Sequence, residues 1–155
     1  MITIELLAHC PHHLPKLVDI WYEGLGKIWM PDIPLEKVKE RFQLHLNENT
    51  LPLTLVANID NQPVGMASLR KTDGIRPELT PWLGGLVVTS AYQKQGIAQQ
   101  LIGAVEGKAK ELSFRELYLL TFDKTLPQYY KRHGWLTIGD DRLHQHPVTI
   151  MHKAL

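Results

Sequence analysis

The chain has 155 residues, 44% of them apolar, which fits one domain over 1–155 with a core of its own and leaves no argument for a second. Its 17 basic and 16 acidic residues give a formal net charge of +1, excluding broad attraction to nucleic acid or an anionic membrane and pointing to a small or local partner. A lone Cys10 excludes an internal disulfide framework, and neither a signal-peptide pattern nor an apolar run of about 18 residues occurs, so a cytoplasmic location is expected.

Ile2, Ile4 and Leu6 alternate with Thr3 and Glu5, which predicts a half-buried strand to about Ala8, ended by Pro11. Leu14, Leu17, Val18, Trp21, Tyr22 and Leu25 recur at three- and four-residue steps and predict a helix over roughly 12–25. Pro34 opens a second helix marked by Leu35, Val38, Phe42 and Leu46, and the aromatic stretch Trp29-Met30-Pro31-Asp32 forms the loop between them. The segments 51–59 and 63–70 read as strands of a hairpin around Asp60-Asn61-Gln62. In WLGGLVV (82–88), Gly84-Gly85 interrupts a strand, where glycine marks a bulge or a close backbone approach.

Ile97, Ala98, Leu101, Ile102, Val105, Ala109 and Leu112 trace a third helix. RELYLLTF (115–122) is a strand, and TLPQYYKRHG (125–134) a short helix stopped at Gly134. Strands at 135–138 and 148–153, joined by a polar loop GDDRLHQH, close the chain. The order β-α-α-β-β-β-α-β-α-β-β, hairpins with one strand-helix-strand crossover, predicts an α/β fold whose mixed parallel and antiparallel central sheet is flanked by helices.

Between the fourth strand and the third helix lies Gln93-Lys94-Gln95-Gly96-Ile97-Ala98. A helix N-terminus offers unpartnered N–H groups and partial positive charge, so an unobstructed loop entering it suits a phosphate or pyrophosphate. Gly96 removes a Cβ at the approach and Ala98 keeps the first turn open. Local chemistry alone fits an ordinary tight turn equally well. The segment is neither a Walker loop nor a G-x-G-x-x-G dinucleotide fingerprint.

These residues resemble the GNAT superfamily of acetyl-coenzyme A-dependent N-acetyltransferases, most specifically over 82–135. Its pyrophosphate loop, Q/R-x-x-G-x-G/A, is met by Gln93, Gly96 and Ala98, and the L-x-V strand end before it by Leu86 and Val88. Many members have Arg, Gly and Gly where this chain has Gln93, Lys94 and Ala98, so the backbone cradle is supported more firmly than any side-chain contact. Downstream, Tyr129-Tyr130-Lys131-Arg132-His133-Gly134-Trp135 looks like the family's aromatic-tyrosine pair ahead of a Gly-aromatic pair. PWL before the loop and PVTIM near the end look similar to small bacterial-type single-domain acetyltransferases.

The resemblance implies that a bulge at Gly84-Gly85 splays two parallel strands, so that Leu86, Val87 and Val88 on one and Thr121 on the other flank the pantetheine arm of acetyl-coenzyme A. The N–H groups of Gln93, Lys94, Gln95, Gly96, Ile97 and Ala98 would meet the pyrophosphate. Lys94 reads as a peripheral phosphate contact or as an ordinary solvated lysine. Thioester aminolysis needs a neutral amine, an oxyanion partner and a proton for the departing thiolate. By resemblance Tyr130 is that general acid and touches the coenzyme; the plain alternative is an aromatic filling the core. Tyr129, one step round the helix, should point elsewhere and pack.

Some family members carry a glutamate on the bulged strand, where this chain has Trp82, Leu83, Gly84 and Gly85. Glu78 in the preceding loop is the candidate base, with Asp123 or an ordered water as alternatives. No metal is expected: His12-His13 and His144-x-His146 lack H-E-x-x-H spacing and cysteine partners. Cys10 has no assigned base and is not expected to carry an acyl group.

The implied function is acetyl transfer to a primary amine, on a small molecule, a peptide N-terminus or a lysine, by direct attack in a ternary complex on a monomer or homodimer. The alternative is a catalytically degenerate acyl-coenzyme A sensor. Trp29, Asp32, Trp82, Asp140 and Asp141 are the candidate acceptor residues, and their carboxylates predict a cationic amine with an apolar portion.

Overall fold

The computed structural model describes residues 1–155. Its elements are β1 (Ile2–Leu6), α1 (Leu14–Trp21), α2 (Lys27–Trp29), α3 (Leu35–Gln43), β2 (Leu53–Ile59), β3 (Gln62–Arg70), β4 (Trp82–Val88), α4 (Ile97–Glu111), β5 (Glu116–Thr121), α5 (Leu126–Lys131), β6 (Leu136–Leu143) and β7 (His146–Ala154). The strands form one sheet in the order β1-β2-β3-β4-β5-β7-β6. Every neighbouring pair is antiparallel except β4–β5, whose parallel alignment requires the crossover that α4 supplies. No helix is long and apolar enough to cross a membrane.

Helices cover both faces of the sheet. On one, α4 buries Ile97, Leu101, Ile102, Val105 and Ala109 against Leu53, Leu55, Ala57 and Leu69. On the other, α1 and α3 bury Leu14, Leu17, Val18, Val38 and Phe42 against Val56, Met66 and Val87. Cover on both sides is why β2 is an almost unbroken apolar run instead of an alternating one.

The glycine pair in β4 does what its position predicts. Ser68 pairs with Gly84 and Met66 with Val87, so a two-residue step on β3 faces a three-residue step on β4. The extra residue is accommodated at Gly85, whose φ of +59° lies in the left-handed region. The bulge also reverses the strand's phase: Leu83 and Val88, five residues apart, both join the α4 core, while Val87 faces α1.

Three sequence-level boundaries shift. β1 ends at Leu6, because tight turns over Leu7–His9 and Pro11–His13 carry Leu7 and Cys10 into the core. The helix expected over 12–25 begins at Leu14 and, after Trp21, widens into a π-helical turn over Tyr22–Gly26 that leads into α2. The polar segment 139–146, expected as a loop, is mostly strand: only His144 and Gln145, both with positive φ, make the turn between β6 and β7. β6 is an edge strand with largely exposed side chains, so its pairing with β7 leaves no apolar alternation in the sequence.

Candidate active site

β4 and β5 pair at Trp82–Tyr118, and beyond that point they separate. A cavity of about 780 Å³ opens in the gap, lined by Leu83 to Val88 on one side and by Leu119, Leu120 and Thr121 on the other. Backbone groups turned into this gap have no strand opposite them, which suits an extended ligand that can act as one.

One end of the cavity is the loop entering α4. Gly96, at φ +82°, caps the helix, and a Cβ placed on it would meet nothing within 4 Å. The approach to the helix N-terminus is therefore clear. Gln93 spends its side chain on the loop itself, donating from Nε2 to the Val88 carbonyl at 3.0 Å and pinning the turn to the strand end. Gln93, Lys94, Gly96, Ile97 and Ala98 line the cavity; Gln95 is exposed and does not.

Tyr130 also lines the cavity, 7% exposed, with its ring edge-on to Trp135 at 6.0 Å. Burial, followed by the neighbouring Tyr129, pushes its phenol up to about 12. Tyr129 packs on the α4 core and donates its hydroxyl to Gln99 Oε1 at 2.5 Å, tying α5 to α4, while its ring also reaches the cavity wall.

A second cavity, of about 470 Å³, adjoins the first and shares with it Leu25, Trp29, Asp73, Gly85 and Leu120. Trp29 stands between the two, edge-on to Phe122 and to His146, each at 5.1 Å. Asp73 accepts a hydrogen bond from Arg70 Nη1 at 2.9 Å. Its carboxylate lies over Gly84, where a Cβ would stand 2.9 Å from Oδ1, and Arg70 Nη2 lies 3.0 Å from a Cβ built on Gly85. The space that side chains on the bulge would take is thus filled from β3 and the loop after it. Burial holds the Asp73 carboxyl above the usual carboxylate range, against the opposing pull of Arg70.

Behind this pair, His45 Nδ1 and Thr54 Oγ1 share a buried hydrogen bond of 2.8 Å, continued from Thr54 to Ser68 at 2.7 Å. Burial, with Arg70 nearby, lowers His45 to about 4.

Other residues singled out in the sequence fall elsewhere. Glu78 is exposed in the loop before β4 and lines neither cavity. Trp82 is fully buried with Tyr118 and Ile150 and donates its indole N–H to the Leu79 carbonyl at 2.7 Å. Asp32 and Asp140 are exposed and outside both cavities; half-buried Asp141 also lies outside them and pairs with Arg76 at 3.0 Å. Asp123 does line the first cavity, but Thr125 donates to it from Oγ1 at 2.7 Å and N at 2.8 Å and holds it below the usual range. Cys10 is buried, and desolvation followed by Glu5 pushes its thiol up to about 12, the opposite of an activated nucleophile.

Sequence reasoning missed Asp73. The signal was present in two parts, an Arg-x-x-Asp spacing at 70–73 and vacant side-chain positions at Gly84 and Gly85, but only the bulged pairing brings them together.

The sequence profile of the acetyltransferase (GNAT) family matches residues 16–135, and the chain belongs to that family: it is an enzyme that uses acetyl-coenzyme A. No curated protein matches the sequence. Among solved structures it is similar to the PaiA N-acetyltransferase of Thermoplasma acidophilum in complex with coenzyme A, at 18% identity and TM-score 0.78, covering 100% of this chain and 99% of that one. An aminoglycoside 6'-N-acetyltransferase complexed with coenzyme A gives 17% identity and TM-score 0.75 over 98% and 96% of the two chains. An acetyltransferase from Streptococcus agalactiae gives 20% and 0.72 over 99% and 98%. At such identities the likeness shows a shared fold. The residues fit the coenzyme: the open approach at Gly96 suits a pyrophosphate, and the parted strands suit an amide-bearing arm.

Proposed function

We propose that the protein transfers the acetyl group of acetyl-coenzyme A to a primary amine by direct attack, with the coenzyme in the first cavity and the acceptor in the second. The observation that carries this reading is the meeting of the two cavities at Asp73 and Gly85, beside the bulge. Bound acetyl-coenzyme A supplies the thioester, whose leaving thiol has a reference pKa of about 8.5.

Around it, the backbone of Leu86, Val87 and Val88 and the Thr121 strand end hold the pantetheine arm. N–H groups of β4 facing the gap stabilise charge developing on the carbonyl oxygen. The α4 N-terminus takes the pyrophosphate, with Lys94 at its periphery. Tyr130 keeps its proton throughout the neutral range and delivers it to the thiolate. Asp73 receives the proton of the incoming ammonium, the role for which Glu78 was the sequence candidate. A carboxylate raised by burial is a better acceptor near neutrality than an exposed one.

The second cavity joined to the first favours this reading over a coenzyme-sensing module. Incubation with acetyl-coenzyme A and a panel of amines, with free thiol and acetylated product followed together, tests the proposal. Equal amounts of both are expected. Tight coenzyme binding without transfer to any amine would establish the sensor instead.

A further inference from the structure

We infer that the acceptor is a zwitterion, a primary amine that also carries a carboxylate and an apolar group, with Arg41 and Lys71 holding the carboxylate. This rests on the proposed transfer reaction and names its substrate class. The second cavity is lined by three permanent cations, Arg41, Arg70 and Lys71, and by a single carboxylate, Asp73. Arg70 and Asp73 neutralise each other as an ion pair, 25% and 14% exposed. Arg41 and Lys71 take part in none of the protein's ion pairs. Buried His45, lowered to about 4, adds no charge near neutrality. Beside the point where the cavities meet, the acceptor space therefore carries an uncompensated excess of two positive charges.

The Arg41 guanidinium touches one protein acceptor, the weak Met30 Sδ at 3.5 Å, so its paired donors are available for a bidentate carboxylate. Trp21, Met30 and Phe42 line the same space and offer surface to an apolar side chain. A volume of about 470 Å³ is that of a small-molecule site. Asp73, which lines both cavities, receives the ammonium. The carboxylates that predicted a cationic acceptor, Asp32, Asp140 and Asp141, lie outside the cavity, and a polycation entering it would meet Arg41 and Lys71 as like charges.

Acceptor pairs that differ only in the carboxylate test this: phenylalanine against phenethylamine and leucine against isoamylamine, with spermidine and a peptide beginning in aspartate alongside. Initial rates give kcat/KM, and calorimetric titration into the coenzyme A-saturated protein gives affinity without turnover. The carboxylated member of each pair should be preferred at least about tenfold by both readouts, and Arg41→Gln or Lys71→Gln should each cut that preference about tenfold, through KM. Free amino acids outpacing the peptide would mark a metabolite source for this chemistry, and the reverse a protein N-terminus. Preference for the decarboxylated amines or spermidine, or an undiminished preference in both variants, would overturn the inference while leaving acetyl transfer standing. Coenzyme binding with no transfer to any acceptor would overturn both.

Discussion

Tyr130 sits where its two possible roles can be separated. Its ring packs on Trp135, and its hydroxyl is the proposed proton donor to the leaving thiolate. Tyr130→Phe keeps the packing and deletes the acid, so kcat should fall about 10²-fold, the low end for general acid catalysis because a thiolate can partly leave unaided, with coenzyme affinity unchanged. Steady-state release of coenzyme A checks it, and a wild-type kcat where chemistry limits would make Tyr130 a packing residue. His45 gives a prediction of another kind. Its folded pKa of about 4 lies below the 6.5 of an unfolded chain, so on acidification the unfolded state binds the proton first. The resulting stability is whole above about pH 6.5 and is lost as pH falls toward 4, by roughly 3 kcal/mol. Melting temperatures across that window should drop less in His45→Gln than in the parent, and parallel drops would contradict the assignment.

At the scale of elements, the bulged strand and the loop into α4 carry the site. Gly96→Val places a β-branched residue at φ +82°, a strain of about 1–2 kcal/mol, but into open space, so the fold should survive while coenzyme affinity falls by at least about tenfold. Calorimetric titration with acetyl-coenzyme A decides it; unchanged affinity in a folded variant would return the loop to an ordinary turn. β4, α4 and the Tyr130 helix were legible in the sequence because each carries a local signal: a glycine pair, a 3.6-residue apolar period, a stop at Gly134. The closing pair of strands was legible too, but not the length of β6 or the tight turn to β7, since that turn uses His144-Gln145 without a glycine and the edge strand is polar. Nor was the contact of Trp29 with Phe122 and His146, or of Asp73 with Gly84. Both join segments far apart in the chain, and no period or spacing records them.

In the molecule as a whole, the sheet is two antiparallel halves, β1 to β4 and β5 to β6, joined at the Trp82–Tyr118 pair and sealed by the cluster of Trp82, Tyr118 and Ile150. A ligand in the gap bridges both halves. Coenzyme at about 100 times its Kd should therefore stabilise the fold by about 2.7 kcal/mol, raising Tm by roughly 5–10 °C for a domain of this size. The absence of a shift at that concentration would contradict coenzyme binding to the folded chain. The two cavities meet at Asp73, and Asp73→Asn, which preserves shape and an acceptor for Arg70 while removing the proposed base, probes the transfer reaction most directly. The measurement is kcat for coenzyme A release at saturating acceptor, with coenzyme affinity measured on the same preparation. A fall of about 10²-fold in kcat at unchanged coenzyme affinity is predicted; wild-type kcat where chemistry limits the rate would contradict it.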